Sequence, residues 1–183
     1  MIWATTAVAE PNVRHTLDLS FGDDSARFVY EGQLSHTTTG PVLVDVGYLF
    51  GDETGDLGHV GLKVKGDVGA QYLQVEAALG GTLFWAQPDE VDEDGGALAL
   101  TGEVYIVPPQ ATRLRIVGEL HYAPSVLSFN GADEFYEVGA RVEYEVLQQA
   151  RVYGGYRVAR MEFDDAGSVD LDDGFHIGLN ISF

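Results

Sequence analysis

His121 and Ser125, with Glu119 two residues before the histidine, bring together a hydroxyl, a base and an acid, the residue types of nucleophilic catalysis. Pro124 stands between His121 and Ser125 and interrupts an extended segment, so Ser125 is expected to start a loop and the three side chains to diverge. Chance placement explains the grouping better than a triad, and no catalytic residue is assigned. The run Glu90-Val91-Asp92-Glu93-Asp94-Gly95 has the look of a calcium loop, but it begins on Glu instead of Asp. Its twelfth position, Thr101, lacks the bidentate carboxylate. The acidic loops read first as solvated segments kept soluble by their charge, with loose sharing of divalent cations with an anionic surface as the alternative. His15, His36, His59 and His176 lie in or beside different segments without the spacing of a metal site. No cofactor is expected, and the chain reads as a non-enzyme.

The elements that carry these residues are strands. In the last ten residues Phe175, Ile177, Leu179, Ile181 and Phe183 alternate with Gly174, His176, Gly178, Asn180 and Ser182, which is a strand with two chemically different faces. The same alternation recurs in short segments from Val13 onward, parted by Gly, Asp and Pro turns, and gives about ten strands. An even number returns both ends of the chain to one side. The connections near Thr37–Gly40, Gly66–Gln71, Pro108–Thr112 and Leu147–Ala150 are short, whereas most of those at the other end are longer and acidic. An all-β, antiparallel, up-and-down transmembrane barrel with short periplasmic turns and acidic extracellular loops fits this pattern.

Composition narrows the class further. The chain has 183 residues, 45% of them hydrophobic, with 23 glycines and no cysteine. Disulfides and thiolate metal sites are therefore absent, and no apolar run approaches the roughly 18 residues of a spanning helix. A net charge of −19 excludes a nucleic-acid partner. A soluble lipocalin-like barrel binding an apolar molecule would show the same alternation, so the faces must decide between them. One face carries both signs of charge: Arg14, Asp18, Arg27, Glu31, Lys63, Lys65, Glu76, Glu103, Arg115, Glu119, Arg141, Glu143 and Arg157. In a narrow membrane barrel these are expected to line the lumen as ion pairs, and His176 to fill space among them. The other face is smooth and aliphatic, with Tyr48, Phe50, Trp85, Tyr122, Tyr136, Tyr144 and Phe183 placed where interfacial aromatic girdles lie.

Residues 1–9 read as a signal-peptide remnant, Ala7-Val8-Ala9 having the small-x-small form of a cleavage site, and residues 10–183 as one barrel domain. From Arg113 onward the chain resembles the YfaZ family of proteobacterial outer-membrane proteins. The residues concerned are Gly118-Glu119-Leu120-His121-Tyr122-Ala123-Pro124 with Leu127-Ser128, then Tyr136-Glu137-Val138-Gly139-Ala140-Arg141, Gly155-Tyr156-Arg157 and Gly178-Leu179-Asn180-Ile181-Ser182-Phe183. The resemblance implies an outer-membrane location, a signal peptide and a small barrel, and brings no activity. The expected partners are outer-membrane lipid and lipopolysaccharide, together with the barrel-assembly machinery acting through the terminal strand Gly174 to Phe183. The function expected is structural, or a narrow pore with a filled, ion-paired lumen. The alternatives are the soluble binding barrel and, behind it, an outer-membrane hydrolase.

Overall fold

Strict period-two alternation forces each segment to present one face to each side of a sheet, and a sheet of such segments has no edge only if it closes. The computed structural model describes residues 14–52, 54–69, 72–89, 94–163 and 167–183. The leader expected at residues 1–9, the acids 90–93 and the pair at 164–165 lie outside them. The strands are β1 (His15–Phe21), β2 (Ser25–His36), β3 (Pro41–Gly51), β4 (Asp56–Asp67), β5 (Gln74–Gln87), β6 (Gly95–Val107), β7 (Leu114–Ala123), a two-residue β8 (Ser128–Phe129), β9 (Ala132–Leu147), β10 (Ala150–Phe163) and β11 (Gly167–Ser182). Except for β8, each pairs antiparallel with its two neighbours, and β1 pairs with β11 to close the ring. The result is a closed ten-stranded barrel, with β8 a short addition beside β6.

Both described ends of the chain lie at one rim, where His15 N–H donates to the Phe183 carbonyl at 3.0 Å. The connections 37–40, 68–73, 108–113 and 148–149 belong to this rim, and the two longest, 88–94 and 124–131, belong to the other. The remaining three at that other rim, 22–24, 52–55 and 164–166, are short, so the expected length contrast rests on two loops. By the rule that such barrels turn tightly on the inner side, the first rim faces the periplasm.

The aliphatic face points outwards. Leu79, Ile177 and Leu100 are about two-thirds exposed or more, while Glu137, Glu143 and Arg157 on the opposite face are almost wholly buried. A soluble binding barrel would have the reverse arrangement. This outer belt is the lipid-facing surface, and it fixes the register of every strand, because a slip by one residue would turn charges into hydrocarbon. Leu62, outward and midway along β4, tests it. Leu62→Arg is expected to destabilise the folded barrel by about 2–4 kcal/mol, read from denaturant unfolding in lipid vesicles, with Leu62→Ala costing far less.

Close packing across the lumen depends on glycine. A Cβ at Gly47 would collide with the His59 ring, and one at Gly139 with the Glu119 side chain. These positions leave room for a large polar side chain on the neighbouring strand.

Candidate functional site

Strands β2, β3, β4 and β6 direct one cluster of charges into the lumen. Lys63 Nζ lies 2.6 Å from Glu103, 2.9 Å from Glu31 and 3.4 Å from Asp45. Asp45 in turn faces His59 at 3.4 Å. On the opposite wall Glu143 is fully buried and accepts from two guanidinium groups, Arg115 at 2.6 Å and Arg141 at 2.9 Å. Arg141 also reaches Glu119 at 3.3 Å. Arg27 spans to Glu137 at 2.6 Å, and Arg157 pairs with Asp172, which also accepts from Ser25 Oγ at 3.0 Å. Lower down, Lys65 meets Glu76 at 3.0 Å and Arg151 meets Glu145 at 2.8 Å. Asp18 has hydrogen bonds from Tyr153 and Asn180 in place of a cation. Each charge withdrawn from water therefore meets an opposite charge or a hydrogen bond, as a low-dielectric site requires.

The outer third of the lumen has a different chemistry. Leu49, Phe84, Phe135, Met161, Phe163 and Leu171 are buried together, with alanines of β5, β6, β7 and β10 between them. Phe84 and Phe135 pack at a tilt with centroids 4.4 Å apart, and Phe84 also packs on His59 and His121 below it. Met161 and Phe163 on β10 reach Gly95 on β6, across the mouth. Thr54, in the β3–β4 connection, donates to the Leu171 carbonyl of β11 at 2.9 Å. A bulge pairs Ala159 with Asp172 but Arg160 with Asp170, so that the adjacent Leu171 and Asp172 both turn inwards. Leucine joins the apolar plug and aspartate meets Arg157. The outer end of the lumen is thus packed with hydrocarbon.

Below this plug lies a cavity of about 770 Å³, opening at the periplasmic rim. Twelve of the thirteen charged residues expected in the lumen line it: Arg14, Asp18, Arg27, Glu31, Lys63, Lys65, Glu76, Glu103, Arg115, Glu119, Arg141 and Arg157. Glu143 sits behind its two arginines, without exposure. Arg14 stands at the mouth, and His176 lines the wall.

Of the seven aromatics expected in girdles, Tyr48, Phe50, Trp85, Tyr122 and Tyr136 lie towards the outer ends of their strands. Tyr144 and Phe183 lie towards the inner ends. Tyr48 donates to Asp56 at 2.9 Å and Tyr156 to Asp173, which anchors the ring hydroxyls in the acidic rim. Phe21, Phe28 and Phe175 are exposed near the same outer rim and extend the upper girdle beyond the residues read from the sequence.

His121, Ser125 and Glu119 do not assemble. His121 Nδ1 lies 3.0 Å from Thr101 Oγ1 inside the lumen, whereas Ser125 opens an exposed 3-10 turn at the outer rim. Gly95 and Thr101, from the would-be calcium loop, belong to β6. Thr101 bonds Thr82 at 2.7 Å, and no group of metal-ligating side chains forms among the described residues.

The apolar plug went unread in the sequence, although β10 carries a signal for it. Its outward positions run Val152, Tyr156, Val158 and then Arg160 and Glu162; its inward positions run Arg151, Arg157 and then Met161 and Phe163. The phase of the strand is unchanged while the chemistry of its faces exchanges. That switch marks where β10 leaves the bilayer.

The profile of the YfaZ precursor family matches residues 15–183, which is the whole described barrel apart from Arg14. The chain belongs to the YfaZ family. A comparison with curated protein sequences yields no match. Among solved structures this YfaZ barrel is similar to a bacterial polysaccharide outer membrane secretin, at 12% identity and TM-score 0.44, covering 92% of this chain and 69% of that one. It is also similar to the KdgM porin in complex with disordered oligogalacturonate (10%, TM-score 0.44, 93% and 99%). A third similar structure is Omp33 of Acinetobacter baumannii (12%, TM-score 0.39, 93% and 96%). With its aliphatic belt outside and its charges inside, the YfaZ chain is an outer-membrane β-barrel.

Proposed function

We propose that this YfaZ-family barrel is a sealed, non-enzymatic outer-membrane element, structural or at most a narrow pore, and not a diffusion channel. The apolar plug around Phe84 and Phe135 carries the reading: it packs side chains of β3 to β7 and β9 to β11 together in the outer mouth, while ion pairs cross the lumen beneath it. Contrary to the filled lumen expected from the sequence, about 770 Å³ stays open beneath the plug, so closure rests on the plug itself. In planar bilayers the purified protein is expected to show no steady conductance of large-porin size, at most brief small openings. Steady porin-scale conductance would overturn the proposal. The lipid, lipopolysaccharide and assembly-machinery contacts belong to the same reading, and the aliphatic belt supports the first two.

A further inference from the structure

We propose that the cavity beneath the seal is a binding site for small organic anions bearing a carboxylate or phosphate group, entered from the periplasmic end. Its sidedness rests on the sealed-barrel reading; its chemistry does not.

The charges of this chain are not spread at random. All ten lysines and arginines except Arg113 and Arg160 line the cavity, in a protein whose net charge is −19. Six carboxylates join them there: Asp18, Glu31, Asp45, Glu76, Glu103 and Glu119. The two most deeply buried lumen acids, Glu137 and Glu143, stand behind the arginines they neutralise. The surface a solute meets is therefore richer in cation than the lumen as a whole.

Arg115 uses Nε and Nη2 on Glu143, and Arg141 uses Nε on Glu143 and Nη1 on Glu119. Both arginines line the cavity, each with 18% of its side chain exposed, so part of each guanidinium is open to a solute. The two arginines are held firmly from behind by one carboxylate, on paired strands. Tyr105 and Tyr153 flank them, with Arg115 5.2 Å from the first ring and Arg141 5.1 Å from the second. Lys65, 3.8 Å from the Tyr105 ring, adds a further cation near the mouth. Guanidinium groups fixed from behind and partly exposed to the cavity suit a planar carboxylate or a phosphate. A cavity of about 770 Å³ admits a molecule of several such groups and excludes a polymer.

Titration calorimetry of the folded protein in detergent at low salt tests this, with citrate and inorganic phosphate as separate probes. Saturable binding of at least one probe is expected, and which one binds separates carboxylate from phosphate recognition. Arg141→Gln should weaken it about tenfold or more, and Arg160→Gln, at the outer rim, should leave it unchanged. Absence of binding by both probes up to about 10 mM overturns the proposal, and so does equal binding in Arg141→Gln. If Arg141→Gln fails to fold, acetylation of Lys65 in the unaltered protein replaces it: citrate or phosphate should slow that reaction severalfold, and an unchanged rate overturns the site. A barrel that binds but conducts like a porin contradicts the sealed reading alone. One that is silent and binds nothing contradicts this inference alone.

Discussion

Replacing Phe84 and Phe135 together by alanine is expected to turn a silent barrel into a conducting one. Both rings are fully buried, they pack against each other, and Phe84 forms the roof over His59 and His121 at the top of the cavity. Each truncation removes a large core side chain, at a cost of about 3–5 kcal/mol. The space freed adjoins a cavity already open below. The closed hydrogen-bonded wall does not depend on the plug, so the barrel should persist while the seal fails. Steady conductance in planar bilayers and a lowered midpoint for heat-induced unfolding are the expected readings. The single variants should be less stable than the native protein and only weakly conducting. A double variant as silent as the native chain, yet folded, would show that something else closes the mouth.

The second large effect concerns charge. Arg27→Met leaves Glu137 buried without the cation 2.6 Å away, and the second oxygen of that carboxylate already lacks a partner among the described residues. Removing one member of a buried pair costs about 3–5 kcal/mol, whereas replacing both by apolar groups is often neutral. Arg27→Met should therefore lower the denaturant midpoint strongly, and adding Glu137→Leu should restore most of the loss. If the double variant is as unstable as the single, the pair is not what Arg27 serves.

Much of this was legible in the residues themselves. In β11 the alternation of Phe175, Ile177 and Leu179 with His176, Gly178 and Asn180 fixes which face meets lipid, because neither set tolerates the other's surroundings. Lys63 and Arg141 were legible as lumen charges for the same reason, but their partners were not. Lys63 meets Glu103, forty positions along the chain, and only the closing of the barrel sets that distance. Phe84 was hidden by its chemistry: the alternation that sends Leu83 and Trp85 outwards sends it inwards, where a lumen read as charged gives no place for a phenylalanine. Glu137 and Glu143 look alike in sequence. Glu137 pairs with β2 across the lumen, which only the closing of the barrel allows, whereas Glu143 meets Arg141 two residues away on its own strand and Arg115 directly opposite on β7.

The absence of cysteine makes the central claim directly measurable. Single cysteines placed in turn at Phe175, His176, Ile177, Asn180 and Ile181, in protein reconstituted into vesicles, can be labelled with a fluorophore and exposed to a quencher confined to acyl chains. Labels at 175, 177 and 181 should be quenched, while those at 176 and 180 should be spared and be reached by a water-soluble maleimide only from the side bearing the chain's carboxyl end. Quenching at 176 and 180 instead, or maleimide reaching them equally from both sides, would contradict an inward-facing polar lumen sealed at its outer mouth.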